Sequence, residues 1–209
     1  MASLAESLRA GLAQLPGQAL DAAQVAQLLA YLDQLARWNR TYNLTAVRDP
    51  AEMVTRHILD SLTVLPWIPG GRLLDAGTGA GLPGIPLAIA LPELRVTLLD
   101  SAGKKVRFLR HVCRELPLGN AEPLQARLET YPAEAPYDAI VSRAFASLAA
   151  FASAARHLAG AAPLLAMKGR YPEVELTALP DWVRLQSVEA LAVPGLQEQR
   201  HLVIMAVSP

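Results

Sequence analysis

An apolar run that ends in a glycine-spaced turn, Leu73-Leu74-Asp75-Ala76-Gly77-Thr78-Gly79-Ala80-Gly81-Leu82-Pro83-Gly84, constrains the fold of this chain more than any other segment. Glycines at alternate positions let the backbone turn tightly and come close to a ligand, because no Cβ stands in the way. A helix opening directly after such a turn presents free N–H groups to polar or anionic ligand atoms. Asp100 closes the next apolar run, Arg95 to Asp100, and a carboxylate at that place can accept both hydroxyls of a ribose. Gly77, Gly79 and Gly81 follow G-x-G-x-G rather than the G-x-G-x-x-G dinucleotide pattern, with Asp75 two residues before the first glycine. A nucleotide-like ligand is the expected occupant, with Gly77, Gly79 and Asp100 among its contacts.

The flanking pattern extends this unit into a sheet. Arg72 to Asp75 reads as a first strand and Pro83 to Leu91 as its helix; Arg95 to Asp100 is a second strand, and Lys104 to Leu116 its helix. Weaker strand signals at Glu122 to Ala126 and Tyr137 to Ser142 precede a helix at Leu148 to Leu158 and a strand at Pro163 to Met167. Such alternation predicts an α/β fold with a parallel, doubly wound sheet. Two last strands, around Val183 to Val193 and His201 to Val207, are joined by the polar turn Pro194 to Arg200 and predict an antiparallel hairpin at the sheet's end.

Before this unit the chain is helical. Asp21 can cap a helix in which Val25, Leu28, Leu29, Leu32 and Leu35 recur at helical spacing up to Trp38. A second helix follows Pro50, with Met53, Ile58, Leu59, Leu62 and Leu65 as its buried side. The expected division is a helical extension over residues 1–68, packed on a core domain over 69–209. With 209 residues, 52% of them hydrophobic, the chain can bury one α/β core and such an appendage.

Bulk properties remove several classes of function. The net charge is zero, so nothing in the whole-molecule field draws the chain to a polyanion, and nucleic acid would have to be held by local basic patches. Residues 1–15 carry Glu6 and Arg9 and do not read as a signal peptide, which predicts a cytoplasmic protein. The most apolar long stretch, Ser147 to Met167, contains Arg156 and His157, so no membrane span is expected. Cys113 is the single cysteine, which excludes an intrachain disulfide and a multi-cysteine metal site.

Several segments resemble, jointly and in order, the RsmG (GidB) family of bacterial 16S ribosomal RNA guanine-N7 methyltransferases. They are Trp38 to Ala46 (WNRTYNLTA), His57 to Leu62 (HILDSL), Asp75 through Pro86, Leu98 to Ser101, Val106 to Leu109, Ser142 to Ala146 (SRAFA) and Met167-Lys168-Gly169. The resemblance implies a class I S-adenosylmethionine-dependent methyltransferase fold, Rossmann-like, with a mostly parallel seven-stranded sheet whose last strand is antiparallel, and with a helical N-terminal extension. It implies S-adenosyl-L-methionine as methyl donor and, as acceptor, N7 of a guanine in the 530 loop of 16S rRNA, guanine 527 in standard rRNA numbering. Family cofactor contacts fall on Gly77, Leu82, the Leu128-Glu129 pair and Arg143; from the residues alone Glu129 reads as a surface loop position.

Guanine N7 carries no proton and has an in-plane lone pair, so a general base is not expected and no catalytic residue is assigned; orientation would supply the rate. Cys113 lies in a helical run among apolar neighbours and reads as structural rather than nucleophilic. Lys104, Lys105, Arg107, Arg110 and Arg114, and separately Arg37, Arg40, Arg48 and Arg56, are either phosphate contacts or solvated helix faces. Tyr42 and Phe145, and less readily Trp38, can stack on an extruded base; Trp38, at helical spacing from Leu35, reads rather as core. His57 and Asp60 share a helix face without further metal ligands nearby. The expected partner is 16S rRNA within the 30S subunit or a late assembly intermediate, engaged by a monomer. A methyltransferase for small molecules or proteins, a nicotinamide dehydrogenase and a non-catalytic cofactor module would share the glycine turn and Asp100.

Overall fold

The computed structural model describes residues 3–17, 19–143 and 145–207, so Ala144 of the Ser142 to Ala146 run lies outside the described residues. Seven strands form one sheet in the order β3-β2-β1-β4-β5-β7-β6. They are β1 (Arg72–Ala76), β2 (Arg95–Asp100), β3 (Ala121–Gln125), β4 (Ala139–Ser142), β5 (Leu164–Lys168), β6 (Val183–Ala190) and β7 (His201–Val207). β1 to β5 pair in parallel, and β7 runs antiparallel to both its neighbours. The fold expectation therefore holds in architecture and in strand sense.

Alternation along each strand assigns its side chains to two layers. Leu73, Val96, Leu98, Val141 and Leu165 face one apolar cluster, while Leu74, Ala76, Leu99, Ile140 and Leu164 face the other. The first cluster is covered by α5 (Gly84–Ala90), α6 (Gly103–Glu115) and the N-terminal helices; the second is covered by α7 (Leu148–Ala159). Strand order reverses between β1 and β4, and open α/β sheets bind ligands at such a point, beyond the carboxyl ends of the strands.

The N-terminal helices share the first cluster rather than forming their own. α1 (Leu4–Leu12) and α2 (Ala22–Tyr42) each begin with a capping box, Ser3 with Glu6 and Asp21 with Gln24. Helix α2 buries Val25, Leu28, Tyr31, Leu32, Leu35 and Asn39 and ends where Asn43 adopts the left-handed conformation. Gln24 Nε2 also donates to the carbonyls of Ile89 and Ala90, at the carboxyl end of α5, at 2.9 and 3.0 Å. Helix α1 has no counterpart among the elements that the sequence pattern predicts. Each large side chain buried at this seam, such as Leu28 or Phe108, contributes about 1.5–3 kcal/mol.

The segment after Pro50 is continuous but not uniform: α3 (Pro50–Met53) passes into a π-helical turn (Val54–Leu59) and then α4 (Asp60–Leu62). All residues from His57 to Val64 are buried, including Asp60, Ser61 and Thr63. An amphipathic surface helix would alternate; from His57 to Val64 this one is enclosed by neighbours, and only its start, at Ala51 and Glu52, is exposed.

Candidate active site at the carboxyl edge of the sheet

The glycine turn is held from three directions. Gly77 and Thr78 donate their N–H groups to the Leu99 carbonyl at 2.9 and 3.0 Å. Thr78 Oγ1 and the Gly84 N–H both donate to Asp75 Oδ2, at 2.6 and 2.7 Å. Tyr31 of α2 donates its hydroxyl to the Ala80 carbonyl at 2.8 Å, so the N-terminal extension reaches the turn directly. Asp75 is fully buried, and its Oδ1 has no hydrogen-bond partner among the described residues. Burial pushes its carboxyl up to about 6, against the opposing hydrogen bonds from Thr78 and Gly84. At Gly81, where φ is +96°, an added Cβ would stand 2.5 Å from Ile85 Cγ1 and 2.9 Å from Leu109 Cδ2. Gly79, at φ +62°, has room for a methyl, with the Gly77 carbonyl 3.9 Å and Lys105 Nζ 4.0 Å away, so its backbone angle alone selects glycine there.

Beside the turn is a cleft of about 250 Å³, lined among others by Gly77, Asp100, Lys105, Leu128, Glu129 and Phe145. Of the seven sequence-assigned contacts, Gly77, Asp100, Leu128 and Glu129 meet there. Gly79 stands at its margin and donates its N–H to Asp100 Oδ2 at 2.9 Å. Leu82 is buried in the first apolar cluster, and Arg143 lines a different cavity. Leu128 forms an apolar wall at the start of a short 3-10 turn (Leu128–Thr130), and exposed Glu129 marks the rim. The Asp100 carboxylate is already engaged: besides Gly79 it accepts from the Ala102 N–H at 2.8 Å and from Lys105 Nζ at 3.2 Å.

The second cavity, of about 360 Å³, opens where β4 and β5 end and β7 begins, and its polar lining is Arg56, His57, Asp60, Arg143, Lys168, Arg200 and His201. Asp60 organises it. Its side chain is 3% exposed and accepts from Arg143 Nη1 and from Arg200 Nε, both at 3.1 Å. Arg143 Nη1 also donates to the Arg56 carbonyl at 3.2 Å. Lys168 Nζ donates to both oxygens of Glu175, at 2.8 and 3.1 Å, and Glu175 in turn accepts the Leu148 N–H at 2.7 Å. His57 has Nε2 2.8 Å from Thr45 Oγ1 and Nδ1 2.9 Å from the Arg56 carbonyl. A carbonyl can only accept, so Nδ1 carries the proton and Nε2 accepts from Thr45. Burial, then the nearby Arg143 charge, pull His57 down to about 4, and the imidazole is neutral at neutral pH.

Lys168, Arg200, Glu175 and His201 had not been singled out from the sequence for this role. Their partners lie far away along the chain, as with Arg200 and Asp60, and only the fold brings them together. Trp38 packs between α2 and α6, with ring centroids 5.1 Å from Tyr42, 5.5 Å from Phe108 and 5.1 Å from His111, and lines neither cavity. Phe145 stands on the wall of the first cleft, 5.2 Å from Phe151.

The geometry has counterparts among known proteins. A family model described as "rRNA small subunit methyltransferase G" (GidB) matches residues 24–203. The protein named ribosomal RNA small subunit methyltransferase G of Pseudomonas aeruginosa (strain LESB58) is 56% identical over 191 residues, 90% of this chain and 89% of that one. Its namesake in Salmonella arizonae is 55% identical over 183 residues, 87% of this chain and 88% of that one. Among solved structures, a SAM-dependent methyltransferase from Aquifex aeolicus superposes with TM-score 0.58 at 19% identity, covering 76% of this chain and 94% of that one. TrmN from Thermus thermophilus does so with TM-score 0.57 at 18% identity, over 74% of this chain and 53% of that one. The two structures share the fold. The match across most of the chain, at more than half identity, shows that this protein belongs to the rRNA small subunit methyltransferase G family.

Proposed function

We propose that this protein transfers the methyl group of S-adenosyl-L-methionine to N7 of a guanine in the 530 loop of 16S rRNA, acting as a cytoplasmic monomer on the 30S subunit or a late precursor. The observation that carries the proposal is the pair of unlike cavities at the carboxyl edge of the sheet, flanking the segment that follows β4. The first fits a nucleoside-bearing cofactor. It offers the bare backbone of Gly77 and Gly79, the Asp100 carboxylate for ribose, the apolar Leu128 and the rim carboxylate of Glu129. When bound, the donor supplies an electrophilic methyl on a sulfonium. Leu82 and Arg143 then act from behind the turn and from the neighbouring cavity.

The second cavity suits a polyanion. Arg56, Arg143, Lys168 and Arg200 provide positive charge for phosphate. Two of the groups there that could serve as a base are engaged: both oxygens of Asp60 accept from arginines and both His57 nitrogens are hydrogen-bonded, while His201 donates Nδ1–H to the Gly169 carbonyl at 2.9 Å and keeps its lone pair on Nε2. An acceptor such as guanine N7, with a lone pair and no proton, needs no base. The chain's contribution is to hold acceptor and donor in line and exclude water, an effect worth up to about 7–11 kcal/mol in well-oriented intramolecular reactions.

The test is methyl transfer from labelled donor to 30S subunits and to naked 16S rRNA, both from cells lacking this protein, followed by nuclease digestion and nucleoside mass spectrometry. Label in 7-methylguanosine is the expected result, with subunits the better substrate. Label in another nucleoside refutes the N7 assignment, and donor binding without any transfer refutes the rRNA acceptor.

A further inference from the structure

We propose that the outer face of α6 is a docking strip for the phosphate backbone of the RNA, supplying affinity at a distance from the reacting atoms. This rests on the reading of the chain as an rRNA methyltransferase. In a protein of zero net charge, the thirteen residues of α6 contain Lys104, Lys105, Arg107, Arg110 and Arg114 and one acid, Glu115. At 3.6 residues per turn, Lys104, Arg107, Arg110 and Arg114 fall within an arc of about 120°. The opposite side, with Val106, Phe108, Leu109 and Val112, is buried in the first apolar cluster. The cationic arc thus faces outward, and all four of its members are exposed.

The charges on this strip are only partly used inside the molecule. Arg107 and Arg110 have no ion-pair partner among the described residues. Arg114, with its side chain 76% exposed, has Glu115 at 3.5 Å, and Lys104 Nζ donates to the Tyr42 carbonyl at 3.2 Å. Lys105, which points the other way, is the exception: it lines the donor cleft and pairs with Asp100. Helix α6 therefore starts at the mouth of that cleft and carries its cations away from it over about 15 Å, at 1.5 Å per residue. A row of cations leading from a reaction centre, with no acid interspersed, complements a nucleic-acid backbone. Fold stability does not require it, since exposed charges of one sign repel.

The test uses full-length protein in which Arg107, Arg110 and Arg114 are replaced together by Gln. Equilibrium binding to 16S rRNA and to 30S subunits is measured across a potassium chloride series. Each phosphate contact contributes about 0.7 to 0.9 to the slope of log affinity against log salt. The expected slope is smaller in magnitude by about 2 to 3, with affinity at 0.15 M salt reduced on the order of a hundred-fold. The triple Lys replacement should keep most of the slope, because phosphate needs charge rather than the guanidinium fork. S-adenosylhomocysteine affinity and melting temperature serve as controls. If the triple variant does not fold, Arg107→Gln alone should lower the slope by about 0.7 to 0.9. A slope equal to wild type in folded protein overturns the strip while leaving the methyltransferase reading intact. Absence of 7-methylguanosine with the wild-type enzyme refutes that reading instead.

Discussion

Replacing Asp60 by Asn probes the charge arrangement that shapes the second cavity. The substitution is nearly isosteric, so packing changes little while the negative charge between Arg143 and Arg200 is lost. Two charge-assisted hydrogen bonds of about 1.5–3 kcal/mol each are affected, and breaking a fully buried ion pair costs about 3–5 kcal/mol. Several features lower the cost here. The Arg143 and Arg200 side chains are 27% and 21% exposed, so water offsets part of the loss. Arg143 keeps the Arg56 carbonyl, Arg200 keeps the Gln199 carbonyl at 2.8 Å, and the new amide retains one acceptor oxygen. Its NH2 group, however, must face one of the guanidinium donors. The net loss should be about 2–3 kcal/mol, equivalent to about 5–10 °C in melting temperature for a domain of this size. Urea unfolding with an unchanged m-value measures it directly. A loss below about 0.5 kcal/mol, the range of an exposed pair, would show that solvent already compensates the bridge and would refute the reasoning.

Three further outcomes follow from the site. Gly81→Ala combines a positive φ with overpacking against Ile85 and Leu109 and should cost about 3 kcal/mol, whereas Gly79→Ala, strained only in its backbone, should cost about 1; equal losses in denaturant unfolding would contradict the packing account. The folded pKa of His57 lies below its unfolded value, so its neutral form supports the fold above about pH 6.5, and that support is lost as pH falls through about 4. Wild type and His57→Gln should therefore converge in stability on acidification across that window, and a constant gap would argue against a buried neutral imidazole; Asp75, shifted upward, acts in the opposite sense in both proteins. Lys105→Met releases the Asp100 carboxylate from its internal partner and should tighten S-adenosylhomocysteine about two- to five-fold by calorimetry, the equivalent of a weak, partly solvated ion pair; weaker binding would identify Lys105 as a direct ligand holder.

The parts of the fold legible in the sequence were those with a local cause. The α2 cap at Asp21, the strand Arg95–Asp100 and the hairpin leading into β7 follow from capping chemistry and short-range periodicity. Helix α1 is equally legible through its Ser3 and Glu6 box. The donor cleft was readable in outline because glycine spacing and a carboxylate at a strand end are local signals. The engagement of Asp100 by Lys105 was not, since it depends on side-chain direction at the start of α6. The second cavity was almost invisible. Asp60 meets Arg143 and Arg200 across 83 and 140 residues of chain, and no pattern within a window of sequence encodes such meetings.

The π-helical turn at Val54–Leu59 adds a consequence of another kind, concerning chain length. Such a turn accommodates one residue more than an α-helix would over the same rise. Removing one residue there would let the segment relax to regular α-helix with its flanking turns kept in register, whereas a further inserted residue would rotate everything upstream by about 100° against Asp60 and Leu62. Met53, now buried, would swing toward solvent, and Asp49 would lose its place as the cap of the first turn relative to the core. The stretch from Pro50 to Trp67 can therefore give up the extra residue of this turn far more readily than it can take in another. Insertions in diverging relatives should collect in the turns on either side of it.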